Sequence, residues 1–428
     1  MGIEFAEWGD RRQILSCVLV SAIAGSAGPA RADNYNPNVI PLGENESFLG
    51  NTGIGRANDT GAVYYNPAGL AEIGSAKVAL SGTVFASISQ HYDAWIVTEN
   101  TNVPLDVSGF NTIPTAFVGT AKLGDWVGAF SILVPYSIQF GDHATLSVPN
   151  VTTNMVYSTT ETEQWYGLSI ARKLSDKVGF GLSVFGVQHA ETSLSGFDLG
   201  NVANNAGIFG TNLTRTDLSS YGLLATFGVS YVASSRVRFG LRAQSAMAQI
   251  YGKGESFSIS RTVLGSATPT VSGENVAGAA NYGIPFDIGL GTALKPVDWL
   301  TFLADVSLQL PMSYQQFPAS LNDQVVSLGA TPRVNLGVEA FPRPAFPLRF
   351  GFYCDPSATT RHPGDPGYWK NDYYGLTAGI GFNSEHVRTS VGGFYVWSSG
   401  QMTPSGTTTS AATSVTAIGA MLTTAYVF

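Results

Sequence analysis

Val178-Gly-Phe-Gly-Leu-Ser-Val-Phe-Gly-Val187 sets Val178, Phe180, Leu182 and Val184 on one side of an extended chain and Gly179, Gly181 and Ser183 on the other. A period of two belongs to a strand with one apolar face. The pattern returns at Ile284, Phe286, Ile288, Leu290 and Leu294, which alternate with Pro285, Asp287, Gly289 and Gly291. It returns again where Leu300, Phe302, Ala304, Val306 and Leu308 alternate with Thr301, Leu303, Asp305 and Ser307. Traced outward, the alternation predicts strands near 75–92, 111–123, 126–140, 156–174, 177–195, 216–234 and 236–260. A second set follows near 278–295, 298–311, 329–341, 347–357, 372–383, 386–400 and 413–428. The total is about 14, an even number as bacterial single-chain barrels have.

The connections point the same way. Gly124-Asp125, Ser175-Asp176, Ser235, Lys295 to Asp298, Pro342 to Phe346 and Asn383 to His386 are short and fall at every second junction. The others, near 93–110, 141–155, 196–215, 261–277, 312–328, 358–371 and 401–412, are long and polar or rich in Gly and Pro. Short turns on one side and long loops on the other are the mark of a membrane barrel.

Composition agrees. Charged residues are 12% of the 428 and aromatics 11%, with 49 glycines, against about 25% charged residues in soluble domains. Outside the N-terminus no segment has the roughly 18 uncharged apolar residues of a spanning helix. The expected fold is all-β, a transmembrane antiparallel β-barrel. At the N-terminus Arg11-Arg12 precede the apolar run Ile14 to Gly28, and Ala30-Arg31-Ala32 offers a cleavage site before Asp33. Residues 1–32 therefore read as a secretory signal peptide. Its removal takes three of the 30 acids and three of the 22 bases, so the net charge stays at −8. A negative balance argues against a nucleic-acid partner. Cys354 is then the one mature cysteine of the two in the chain, and no intramolecular disulfide is possible.

Ahead of the first strand lies Gly50-Asn-Thr-Gly-Ile-Gly-Arg-Ala-Asn-Asp-Thr-Gly-Ala-Val-Tyr-Tyr-Asn-Pro-Ala-Gly-Leu70, with the turn Asn66-Pro67-Ala68-Gly69. A compact irregular segment before a regular series of strands reads as a plug. The expected layout is a hatch over 33–74, with Asn66-Pro67-Ala68 beside a break in the third strand, and a barrel over 75–428.

The phase of the strands turns Asp287, Asp305, Arg333, Glu339, Arg349 and Asp355 inward, and Arg238 and Arg242 with them. Turns centred near 296 and 344 set Asp287 opposite Asp305 and Glu339 opposite Arg349. An inward guanidinium can take a ligand carboxylate bidentately; the alternative is that these charges hydrate the lumen and tether the hatch. Leu133, Val187, Leu224, Leu303 and Met421 make the inward faces too apolar for the competing function, a diffusion porin for small polar solutes. No G-x-S-x-G run is present, and the five histidines (His91, His143, His189, His362, His386) are scattered without metal-ligand spacing. No enzyme and no metal site is expected, although His189 points inward two residues before Glu191. On the closing strand Ile418, Leu422 and Tyr426 share a face and Phe428 ends it, a pattern like the signal read by barrel-assembly machinery.

The chain resembles the FadL/TodX-type outer-membrane transporters of long-chain fatty acids and aromatic hydrocarbons. Three stretches carry the resemblance: Gly55 to Leu70, Trp126-Val-Gly-Ala-Phe-Ser-Ile-Leu-Val-Pro-Tyr-Ser137, and Leu348-Arg-Phe-Gly-Phe-Tyr-Cys-Asp-Pro-Ser357. It implies a 14-stranded barrel with an N-terminal hatch, no cofactor, a Gram-negative outer-membrane setting, outer-membrane lipid around it, and a monomer. It also implies passive uptake of a hydrophobic small molecule, with lateral exit through a gap at Pro135-Tyr136-Ser137 in the third strand. Ser137 stands where the family often has glycine, which leaves the break resting on Pro135.

Overall fold

A computed structural model of the chain describes residues 36–428 apart from 38, 57, 98–101, 149–150, 202–207, 265–267, 320–324, 366–367 and 405–406. The signal peptide expected over 1–32 and residues 33–35 of the expected hatch lie outside the described residues.

Alternation of apolar and small or polar residues folds into strands β1 (Lys77–Val97), β2 (Asn102–Leu123), β3 (Trp126–Val148), β4 (Val151–Lys173), β5 (Val178–Asn201), β6 (Ile208–Ser234) and β7 (Val237–Gln244). Next come β8 (Ala248–Leu264), β9 (Thr270–Gly278), β10 (Asp287–Val297), β11 (Leu300–Gln309), β12 (Met312–Gln315) and β13 (Val325–Leu328). The last are β14 (Thr331–Arg343), β15 (Phe346–Asp355), β16 (Trp369–Asn383), β17 (Val387–Met402) and β18 (Ala411–Val427). All pairings are antiparallel. β1 to β7 pair in sequence, then β7 with β10, β10 with β11, β11 with β14, and β14 to β18 in sequence. β18 pairs back onto β1, from Lys77↔Val427 to Tyr92↔Thr413, so 14 strands close a ring. β8 runs along the outer part of β6 and carries β9 as a hairpin, while β12 and β13 form a separate small ribbon.

The outward faces form an apolar belt: Leu182, Val184, Leu290, Val306, Leu336, Ile418 and Leu422 are exposed. Near the short turns aromatic pairs rim the belt, among them Trp126 with Phe180 at 5.5 Å and Tyr426 with Phe428 at 4.9 Å. That is the exterior of a barrel that spans a membrane. No helix among the described residues is long and apolar enough to cross one.

The structure departs from the sequence reading in three places. The expected loops near 93–110, 141–155 and 196–215 are mostly strand, because Ser/Thr-rich segments keep alternating well past the ~10 residues a bilayer requires. The expected strands 236–260 and 278–295 are each interrupted, at 245–247 and at 279–286. There Pro285 offers no N–H to a ladder, Met247 donates its N–H to Ile284 O at 2.9 Å, and Ile284 turns into the core rather than to lipid. Finally, Asp287 does not face Asp305. The β10–β11 turn is centred on Asp298-Trp299, so Asp287 pairs with Gln309 and Asp305 with Gly291, whereas Glu339 does face Arg349.

Candidate functional site

The segment from Asn36 to Ile73 makes short turns, Glu46–Phe48, Ala62–Tyr65 and Pro67–Glu72, and lies against the inward faces of the strands. Its backbone is held by the wall. Gly53 and Ile54 N–H donate to Asp305 Oδ2 at 2.7 and 2.8 Å, and Gly55 N–H donates to Oδ1 at 3.2 Å. Gly50 N–H donates to Thr377 Oγ1 at 2.9 Å, and Asn335 Nδ2 donates to Asn51 O at 2.9 Å. Gly50 has φ +64°, and a Cβ on the facing Gly351 would lie 1.8 Å from Gly50 N. Both positions need glycine, one for its backbone angle and one for the close approach.

Charges continue the attachment. Arg56 and Arg349 both pair with Glu339, Arg238 with Glu72 at 3.5 Å, and Lys77 with Glu44 at 2.6 Å. Deeper in the wall Arg242 and Arg333 share Asp287, and Arg333 Nε reaches Asp355 at 2.9 Å. The arginines and aspartates that sequence phase turned inward thus meet one another or the N-terminal segment. Glu46 lies buried beside Asp59, and burial together with that neighbour holds its carboxyl well above the ordinary range.

Asn66 Nδ2 donates to Ile54 O at 2.8 Å and to Val229 O of β6 at 3.1 Å, and its Oδ1 caps Ala68 N–H at 3.2 Å. Pro67 and Ala68 sit against Gly181 and Gly179 of β5. They are therefore not beside the middle of β3, as expected. Tyr64 and Tyr65 take that place: with Leu133, Trp165, Phe185 and Val187 they form one buried cluster, Tyr64 lying 5.4 Å from Trp165.

β2 and β3 part part-way up the wall. Their pairing runs from Leu123↔Trp126 to Ala116↔Leu133 and stops, although β2 continues to Asn102 along β1 and β3 continues to Val148 along β4. Had the register continued, Pro114 would face Pro135. Neither can donate to a ladder, so the seam has lost a donor on each side at one level. On the β4 side Val134 and Pro135 together stand opposite Gln164, a bulge between Leu133↔Trp165 and Tyr136↔Glu163. Ser137 Oγ lies 3.4 Å from Thr162 Oγ1. The inward Asn111 of β2 has neither amide atom paired.

Pro135 and Tyr136 also line an internal cavity of about 40 Å³ with Pro37, Tyr64, Tyr65, Glu163, Trp165, Arg242 and Asp287. That is room for a few waters. Sequence reading missed Pro114, Tyr64 and Trp165. Pro114 was the legible one, since it precedes the Gly124-Asp125 turn by as many residues as Pro135 follows it.

A scan against family models and a search of curated proteins returned no match. Solved structures do match. A Pseudomonas aeruginosa FadL homologue superposes at TM-score 0.62 and 13% identity, over 92% of this chain and 98% of that one. The P. putida toluene transporter TodX gives TM-score 0.63 at 14% identity over 91% and 99%. The fold is that of the FadL and TodX proteins. A third FadL-type structure, the Ralstonia pickettii toluene transporter TbuX, matches at TM-score 0.52 and 14% identity over 91% and 99%. At such identity the FadL-type likeness resides in the barrel and its connections rather than in shared side chains.

Proposed function

We propose that the protein is a passive outer-membrane conduit for hydrophobic small molecules such as long-chain fatty acids or aromatic hydrocarbons, which leave sideways between β2 and β3. The observation that carries this is the seam that parts beyond Ala116↔Leu133, where a continued register would set Pro114 against Pro135, beside a cavity walled by Tyr64, Tyr65 and Trp165. An unpaired strand edge facing lipid is costly, so a fold that keeps one has a use for it. The N-terminal segment acts as the hatch: it occupies the lumen and closes the direct route to the short-turn end, taken as periplasmic.

The driving force is partition. Each methylene favours lipid over water by about 0.8 kcal/mol, so an acyl chain gains by entering the bilayer and needs no energy source. The inward charges meet each other or the hatch, which favours tethering over ligand-carboxylate binding for Arg238, Arg242, Arg333 and Arg349. Tyr426, exposed on the lipid face of β18, and the exposed Phe428 just beyond it serve recognition by the assembly machinery. Single-channel recording tests the conduit. Near-zero conductance that rises when residues 33–74 are deleted supports a hatch in a hydrophobic channel. Large, steady conductance in the intact protein means a diffusion porin instead.

A further inference from the structure

β4 and β5 carry a second cluster of chemistry that neither the hatch nor the seam uses. Their register sets Glu161 directly opposite Glu191 and Glu163 opposite His189. Like charges facing each other across strands destabilise the pair. His189, Glu163 and Glu191 are 1%, 3% and 7% exposed, while the side chain of Glu161 is 28% exposed and gives the cluster an opening. Among the described residues Glu161 and Glu163 form no ion pair with lysine or arginine; His189 Nε2 lies 2.9 Å from Glu161 Oε1. One atom each from Glu161, His189 and Glu191 fall within 4.8 Å of one another. Ligand atoms about 2.0–2.2 Å from a tetrahedral zinc ion lie roughly 3.3–3.6 Å from one another, so side-chain rotations that move them by about an ångström close the three on one ion.

The surroundings are those of a built site. The His189 ring stacks on Tyr282 with centroids 3.6 Å apart and planes within 2°. Gln316 Nε2 donates to Glu191 Oε2 at 3.1 Å. Glu163 accepts from Tyr282 OH and, at 3.0 Å, from Trp165 Nε1, so it stands oriented beside the three ligands. Such outer partners fix ligand geometry at metal centres. We propose that Glu161, His189 and Glu191 bind one divalent transition-metal ion, Zn²⁺ fitting the mixed imidazole and carboxylate set. The ion ties β4 to β5 one strand from the parted seam, since Tyr136 pairs with Glu163. This assignment stands independently of what passes through the barrel.

The full-length protein in detergent, stripped with a chelator, is titrated with Zn²⁺ in a calorimeter. One equivalent binds to the wild type, and His189→Gln and Glu191→Gln abolish it. Gln316→Ala keeps every ligand and weakens binding by about 10–100-fold. His91→Gln, which alters an exposed histidine between Asp93 and Asp106, leaves the stoichiometry unchanged. Folding of each variant is followed by heat-modifiable migration. Where the His189 or Glu191 variant does not fold, Glu161→Gln, at the exposed edge of the cluster, replaces it and is expected to abolish binding. No stoichiometric binding, or binding that survives the ligand variants, overturns the proposal.

Discussion

Pro114 and Pro135 act through what they lack. A proline in a strand withholds one ladder donor, and two at the same level of the register leave neither edge an N–H to offer there, only carbonyl acceptors. Replacing both by valine returns both donors, lets β2 and β3 pair beyond Ala116↔Leu133, and lowers uptake of radiolabelled lipophiles several-fold; either single change has the smaller effect. Unaltered uptake in the double variant would mean the prolines do not set the opening. Asp287 works in the opposite sense, through what it supplies, since Arg242 and Arg333 are both buried against it. Asp287→Ala leaves two buried guanidiniums short of a partner, and breaking a buried pair costs about 3–5 kcal/mol. The expected result is a barrel that unfolds at markedly lower urea concentration, with the Asp287→Glu variant recovering part of the loss.

Among elements, the N-terminal segment is the one whose seat depends on pH. Glu46 and Glu44 both have carboxyls raised above the ordinary 4.5, chiefly by burial and then by Asp59; Lys77 only partly offsets the effect on Glu44. For a group raised on folding, the stabilisation is fully present below the unfolded value and is lost as pH climbs through the folded one. The segment is therefore held most firmly in acid and loosens as pH rises above about 4.5. Hydrogen exchange at the amides of 46–61 should quicken with pH beyond the intrinsic rate, and Glu46→Gln should flatten most of that dependence. Tighter protection at higher pH in the wild type contradicts the assignment. On the wall side β15 and β14 meet the segment through Gly351, Asn335 and the Glu339–Arg349 pair rather than through an unpaired acid.

At the scale of the whole molecule, the barrel was legible because alternation is a local property. Asp287, Asp305, Arg333, Glu339, Arg349 and Asp355 are all buried inward as the phase required. Two-residue errors in a turn leave facing intact but change partners, which is why Asp287 met Gln309 rather than Asp305. The break at 279–286 was hidden by Ile284 and Phe286, which keep the alternating pattern where the backbone has left the sheet. The contacts of Tyr64, Tyr65 and Asn66, and the meeting of Glu161 with Glu191, depend on placement across the lumen or on cross-strand register, which no single stretch encodes. The lateral route is the central claim, and bridging the seam tests it most directly. In a Cys354→Ser background, Thr112→Cys and Ser137→Cys place thiols on residues that would be partners had β2 and β3 stayed paired. A short bifunctional thiol reagent then joins the strands. Uptake of radiolabelled fatty acid and of toluene should fall at least tenfold in the bridged protein and stay normal when either cysteine is modified alone; bridged protein that takes up both at the unbridged rate contradicts exit between β2 and β3.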